Sequence, residues 1–231
     1  YNLEGVPELR LPREVYPAIF LGKITRWNDP AIVKANPGVT MPDLPITVVR
    51  RADSSGTTFV FTTHLSAISP AWKNGPGIGK TVNWPSSSRL VAAPKNDGVA
   101  ATIRQTPGAI GYIEYGFAKM ARLPMVLLQN RAGRYIRPSI KSGQAALAHA
   151  RIPADMRVWL PDPEGDDSYP IVTYTWMLFY RKYKDERKAE ILRDLVRFCL
   201  HDGQKLADRL GYIPLPANVV KVVEKASQNI H

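Results

Sequence analysis

The sequence has 231 residues, 45% hydrophobic and 22% charged, which is ample for a buried core in one large domain or two small ones. No apolar run approaches the ~18 residues that span a bilayer, and Tyr1-Asn2-Leu3 begins in folded-looking sequence, so these first residues are not expected to be a signal segment. Net charge is +11, from 31 Lys and Arg against 20 Asp and Glu. That balance draws anions, but the basic residues form no dense cluster with interleaved aromatics, so specific nucleic-acid docking is not expected. In chain order, residues 12–20 carry apolar side chains at helical spacing behind Pro12, and Gly22 ends that helix. Asn28-Asp29-Pro30 starts a second helix, and Asn36-Pro37-Gly38 stops it. Residues 44–49 (LPITVV) read as a short β-branched strand. A polar, glycine-containing loop follows, and then a helix over 57–65.

Residues 69–95 read as a long loop rich in Gly, Pro and Ser that carries Trp72 and Trp84. For these two and Trp27, packing in the interior is the expected role. Asn96-Asp97-Gly98 opens a helix to 104, and Pro107-Gly108 turns the chain into a strand over 109–113. A strand over 125–129 and an amphipathic helix over 139–150 come next. The most apolar stretch, 171–180, reads as a buried strand, with helices near 185–201, 202–210 and 216–227 after it. Alternating strands and helices predict an α/β protein, with a boundary between two lobes near 166–170. Cys199, the single cysteine, lies on an apolar helix face and reads as a small core hydrophobe. His64, His149, His201 and His231 are scattered with no metal-ligand spacing, so neither metal nor cofactor is expected. His64, one to two turns along its helix, reads as helix surface.

The chemistry concentrates at Arg51-Ala52-Asp53-Ser54-Ser55-Gly56-Thr57. A helix start presents unpaired N–H groups and the positive end of the helix dipole to an anion. Gly56 lets backbone approach a ligand, the hydroxyls of Ser55 and Thr57 can donate, and Arg51 offers a planar fork. Asp53 is placed to pair with Arg51. On residue types alone, a plain capped helix with an arginine nearby explains the segment equally well. It lacks the G-x-x-x-x-G-K-[ST] spacing of a nucleotide P-loop, and Ser55 lacks the G-x-S-x-G context of a hydrolase.

The run RRADSSGTTF at 50–59 resembles the signature loop of the periplasmic phosphate-binding proteins that serve the high-affinity phosphate ABC importer. Further motifs follow in that family's order: IFLGKITRWNDP at 19–30, NDGVA at 96–100, PGAIGYIEY at 107–115, YPI at 169–171 and LGYIPLP at 210–216. The resemblance implies a two-lobed periplasmic-binding-protein architecture of the type II kind, in the periplasm or otherwise outside the cytoplasm, free or lipid-anchored. It implies capture of inorganic phosphate for a membrane ABC permease, with Arg51, Ser55, Gly56 and Thr57 on the phosphate through side chains and backbone N–H groups, and Asp53 moderating Arg51. Ser54 stands where the family has glycine. By the same resemblance, residues 1–167 correspond to the second lobe and 168–231 to the returning C-terminal part of the first. The N-terminal part of that first lobe has no counterpart in this sequence, and with it goes the family's aspartate that accepts phosphate's proton. Weakened binding and self-association are the consequences expected of such a chain. Three other readings compete: a binder of another oxyanion, a phosphatase-like enzyme, and a non-transport scaffold with a degenerate site. An enzyme would need a metal cluster or a nucleophile with a base, and no such set is apparent, so no catalytic residue is expected.

Overall fold

The computed structural model describes residues 1–86 and 89–231. Its organising element is β2 (Thr47–Arg51), the middle strand of a parallel sheet between β3 (Leu90–Ala93) and β4 (Ala109–Gly111). Thr47, Val48 and Val49 are β-branched and buried, which suits a central strand. The strand lies two to three residues later than the apolar run alone suggests. From β2 the chain passes through α3 (Gly56–Ile68) and α4 (Pro70–Asn74) to β3 on one flank. It then passes through α5 (Lys95–Gln105) to β4 on the other flank. The connections therefore diverge at the carboxyl end of β2, the place where open α/β sheets form ligand crevices. Close packing of α5 on this sheet depends on Gly111: a Cβ there would lie 2.7 Å from the Val49 carbonyl oxygen and 3.0 Å from Ile103 Cδ1.

A second sheet pairs β1 (Arg10–Leu11) in parallel with β5 (Leu127–Gln129), and β5 antiparallel with β6 (Tyr135–Ile136). Beside it lie α1 (Val15–Phe20), which begins later than Pro12, and α2 (Pro30–Ala35). Asp29 Oδ1 caps α2 by accepting from the Ala31 N–H at 2.9 Å, as the Asp-Pro start predicts. Leu9, Leu11, Tyr16, Trp27, Ile32, Leu65 and Trp72 are fully buried in the main core. Trp27 Nε1 donates to the Gly108 carbonyl at 3.0 Å and Trp72 Nε1 to the Gly77 carbonyl at 2.9 Å, so both indoles are structural, as expected. The segment expected as one long loop holds α4 and β3 instead. Ser69 Oγ caps α4 by accepting from the Trp72 N–H, and β3 is too short and too exposed to show an apolar pattern. Residues 87 and 88 of that loop lie outside the described residues.

Two further helices, α6 (Tyr115–Met120) and α7 (Ile140–Ala148), complete this part. A reciprocal capping box starts α7: Ser139 Oγ accepts from the Ser142 N–H and Ser142 Oγ from the Ser139 N–H, both at 3.0 Å. Residues 171–180 do not form the buried strand that their composition predicts. Val172 and Tyr174 are buried against Ala146 and Leu147 of α7, with Thr173 and Thr175 facing outward, so the two-residue period is present. A strand also needs a ladder neighbour for its backbone, and among the described residues this segment has none. Leu178 at its far end is 93% exposed.

The amphipathic α8 (Glu186–Leu200) starts at its Asp185 cap and buries Ala189, Val196 and Leu200. Cys199 on α8 is half-buried rather than a full core residue. The helix expected over 202–210 is replaced by two 3-10 turns, Asp202–Leu206 and Asp208–Leu210, that close on the left-handed Gly211. Then α9 (Ala217–Ser227) packs on α8 and α7. This C-terminal part meets α6 at a backbone contact, where a Cβ on Gly116 would lie 2.8 Å from Gly211 Cα. Lys119 Nζ and Asp208 Oδ1 pair alongside at 2.6 Å. No helix among the described residues is long and apolar enough to cross a membrane.

Candidate oxyanion site

Arg51 ends β2 with its side chain only 9% exposed. Asp53 folds back onto it: Nε donates to Oδ1 at 2.9 Å and Nη2 to Oδ2 at 2.6 Å. The Lys95 N–H at the start of α5 adds a third bond to Asp53 Oδ1, at 3.0 Å. With its oxygens so occupied, the Asp53 carboxyl is held well below the usual carboxylate range, first by the Arg51 guanidinium and then by the Lys95 amide. The same hydrogen bond raises Arg51. On the far side of the guanidinium, Nη1 donates to Asn96 Oδ1 at 3.1 Å and more weakly to Thr57 Oγ1 at 3.5 Å.

The loop after β2 delivers the start of α3 to the same place. Ser55 is its N-cap, with Oγ accepting from the Thr58 N–H at 3.2 Å. Its own N–H donates to the Lys80 carbonyl at 3.0 Å, and the residue is buried. The Ser55 N–H expected to face the anion is thus bonded to the Lys80 carbonyl in this structure, and among the described residues its hydroxyl donates to no partner. The N–H groups of Gly56 and Thr57 have no acceptor among the described residues, as the first turn of a helix requires. A Cβ on Gly56 would meet nothing within 4 Å, and Gly56 and Thr57 both line an open cleft. Thr57 Oγ1 donates to Glu114 Oε1 at 3.3 Å.

The floor is rigid and aromatic. Tyr112 OH accepts from the Arg51 N–H at 3.3 Å and bonds Thr58 Oγ1 at 2.8 Å, and burial pushes its phenol up. Its ring stacks on Phe61 at 4.4 Å and on Trp84 at 5.9 Å. The cluster opens into a cleft of about 1790 Å³ whose walls include Lys80 and Lys95. Of the residues expected at the site, Arg51, Asp53, Gly56 and Thr57 converge, while Ser55 is turned inward as a cap. Asn96, Tyr112 and Glu114 were not among the expected residues. Asn96 reads in sequence only as a helix start, and the other two follow β4. Nothing local reports that α5 and the end of β4 flank Arg51.

His64 is not on the helix surface. It is 1% exposed, with Nδ1 2.6 Å from the Pro161 carbonyl oxygen and Nε2 2.7 Å from Tyr16 OH. A carbonyl can only accept, so Nδ1 carries the proton and Nε2 accepts from Tyr16. α3 is apolar or small on most faces, leaving no polar stripe from which to place one histidine. Burial, the largest influence, together with Arg13 lowers this imidazole to about 4 against the opposing Pro161 carbonyl and Asp162. Among the described residues no group of three His, Cys, Asp or Glu is placed to hold a metal ion.

Comparison with known proteins places this geometry in a family. The model of the PBP superfamily domain matches residues 1–202. The chain is 38% identical over 227 residues to a phosphate-binding protein PstS of Xylella fastidiosa, covering 96% of this chain and 62% of that protein. It is 40% identical over 222 residues to the phosphate-binding protein PstS of Haemophilus influenzae, covering 94% and 65% respectively. The chain thus spans less than two thirds of the length of these relatives. Its α/β fold superimposes on that of a high affinity periplasmic phosphate-binding protein (PfluDING) bound with phosphate, with TM-score 0.75 and 24% identity over 97% of this chain and 67% of that one. An ancestral soluble variant of the human phosphate binding protein gives TM-score 0.74 at 20% identity, over 94% and 66%; at such identities the likeness is one of fold. With 202 of its residues matched by the family's own pattern, this chain belongs to the PBP superfamily.

Proposed function

We propose that the chain captures inorganic phosphate outside the cytoplasm and hands it to a membrane ABC permease, binding it without turning it over. The observation that carries this reading is the convergence, at the carboxyl end of β2, of Arg51 Nη1, Thr57 Oγ1 and the open amides of Gly56 and Thr57. A tetrahedral oxyanion seated there would meet a guanidinium, a hydroxyl and two helix-end N–H groups. The identity of 38% and 40% to proteins named phosphate-binding protein PstS supports phosphate as the anion. Residues 1–167 and 168–231 would contribute to two lobes, with ligand favouring the closed arrangement. Binding without hydrolysis fits the side chains. Ser55 Oγ serves as a helix cap, and His64, the histidine carried by the same helix, has both ring nitrogens engaged elsewhere.

Titration calorimetry on the intact chain with inorganic phosphate and with sulfate tests the proposal. A saturable single-site isotherm with phosphate is expected; absence of heat with both anions overturns it.

A further inference from the structure

The oxyanion site and the C-terminal helices belong to different apolar cores, and what joins those cores bears on closure around a ligand, an inference that rests on the phosphate reading above. The main core reaches the oxyanion site through Val48, Phe61 and Tyr112. Another core joins Ala146 and Leu147 of α7 to Val172, Tyr174 and the α9 residue Val219. The chain leaves the first for α7 after β6 and returns at Asp162, which pairs with Arg13 at 2.8 Å. It leaves again at Tyr169, which packs against both cores. A closing motion has to bend at these crossings.

Asn130 lies where the crossings run side by side. It follows β5 and is fully buried. Its Oδ1 accepts from the Arg134 N–H at 3.0 Å. Its Nδ2 faces three carbonyl oxygens, those of Gly165 at 3.2 Å, Asp166 at 2.8 Å and Ser168 at 3.2 Å. A donor on one side and carbonyls on the other leave a single orientation for the amide. From Tyr169 the network continues into α7: its N–H donates to the Ser142 carbonyl at 3.1 Å, and Ser142 Oγ donates to the Arg137 carbonyl at 2.7 Å. The crossings are thus bonded into one unit. The Arg131–Glu164 and Arg134–Asp166 pairs lie outside it with more than half of each side chain exposed, and contribute little. The buried amide is different, since buried carbonyls left without a donor carry their full desolvation penalty.

We infer that Asn130 is a positioning residue that pins the hinge, making the crossings at 137–142 and 164–169 bend as one when ligand draws the two cores together. A residue that only staples its own turn bonds within that turn. Three of the four side-chain bonds of Asn130 instead reach 35 to 38 residues along the chain. With the pin in place, few other arrangements compete with the closed one. Without it they multiply, and the smaller share of binding-competent molecules weakens apparent affinity in proportion.

The test is nitrogen-15 nuclear magnetic resonance with phosphate on the wild-type chain and on Asn130→Asp, with circular dichroism to confirm folding. Aspartate keeps the shape of asparagine but sets an oxygen against the three carbonyls. In wild type, phosphate should shift the Arg134, Ser168 and Tyr169 amides with one exchange rate common to all three, alongside those of Gly56 and Thr57. In Asn130→Asp, Gly56 and Thr57 should still saturate, at roughly 10-fold higher phosphate, and Arg134 should no longer share a rate with Ser168 and Tyr169. A purely structural role would lower stability and leave the rates common. Unequal rates, or no shifts at these three amides, in wild type that binds phosphate overturn this inference alone, whether or not the variant folds. Unchanged affinity or a still common rate in Asn130→Asp does the same. Absence of phosphate binding to the wild-type chain overturns the phosphate reading and this inference together.

Discussion

Replacing Arg51 with alanine is expected to weaken phosphate binding by on the order of 100-fold or more, about 3 kcal/mol, the range seen when a charged, hydrogen-bonded group at a binding site is removed. Two effects act in the same direction. The guanidinium Nη1 that faces Thr57 and Asn96 disappears. Asp53, which Arg51 binds through two of its nitrogens, is left as a negative charge beside the anion with only the Lys95 amide bonded to it. Arg51→Lys keeps the charge but cannot fork onto Asp53 and face the ligand together, so it should fall between wild type and alanine. Calorimetry with phosphate reads both variants. An Arg51→Ala affinity within a few-fold of wild type would show that the anion is held elsewhere.

The second large effect concerns folding rather than binding, and it centres on His64. Its pKa is lowered from the usual 6.5 to about 4 in the fold, so between these values the unfolded chain binds the proton that the folded chain refuses. The stability that His64 contributes is therefore fully present above about pH 6.5, falls as pH drops toward 4, and levels off below. At about 1.4 kcal/mol per unit, the loss is on the order of 3 kcal/mol. The charged and titratable groups around the ring are Tyr16 on α1, together with Arg13 and Asp162. The last two form a bidentate pair with both bonds at 2.8 Å, so they largely offset each other at the imidazole. Asp53 does not confuse this window, because its depressed pKa makes its contribution disappear only below the ordinary carboxylate value of 3.8. Urea unfolding from pH 7 to 4 should show the decline in the wild-type chain and a markedly flatter profile in His64→Gln. Parallel profiles in the two proteins would contradict the assignment.

Much of this arrangement is legible in the residues. The β2–α3 junction declares itself through Thr47-Val48-Val49, the Ser55 cap and Gly56, and α2, α7 and α8 announce their starts with the caps Asp29, Ser139 and Asp185, whereas α5 begins at Lys95, ahead of the Asn96-Asp97 pair. The misses share a cause, which is that the deciding partner is distant in sequence. Residues 171–180 have strand composition, yet a strand exists only against a neighbour. β3 is a strand because β2 lies beside it, with Val48 opposite Leu90, although its own four residues look like loop. His64 is buried because Pro161 and Tyr16 satisfy it from 97 and 48 residues away. Asn96 and Glu114 come to Arg51 through the strand order β3–β2–β4, which no local pattern encodes.

The claim on which the rest depends is that an oxyanion sits against the open amides at the start of α3. Nuclear magnetic resonance on a nitrogen-15-labelled chain titrated with phosphate addresses those amides one by one. The Gly56 and Thr57 amide resonances should show the largest saturable shifts, and the Ser55 amide, already bonded to the Lys80 carbonyl, should move less. Saturable shifts that leave Gly56 and Thr57 in place, or no shifts at all, would contradict the account.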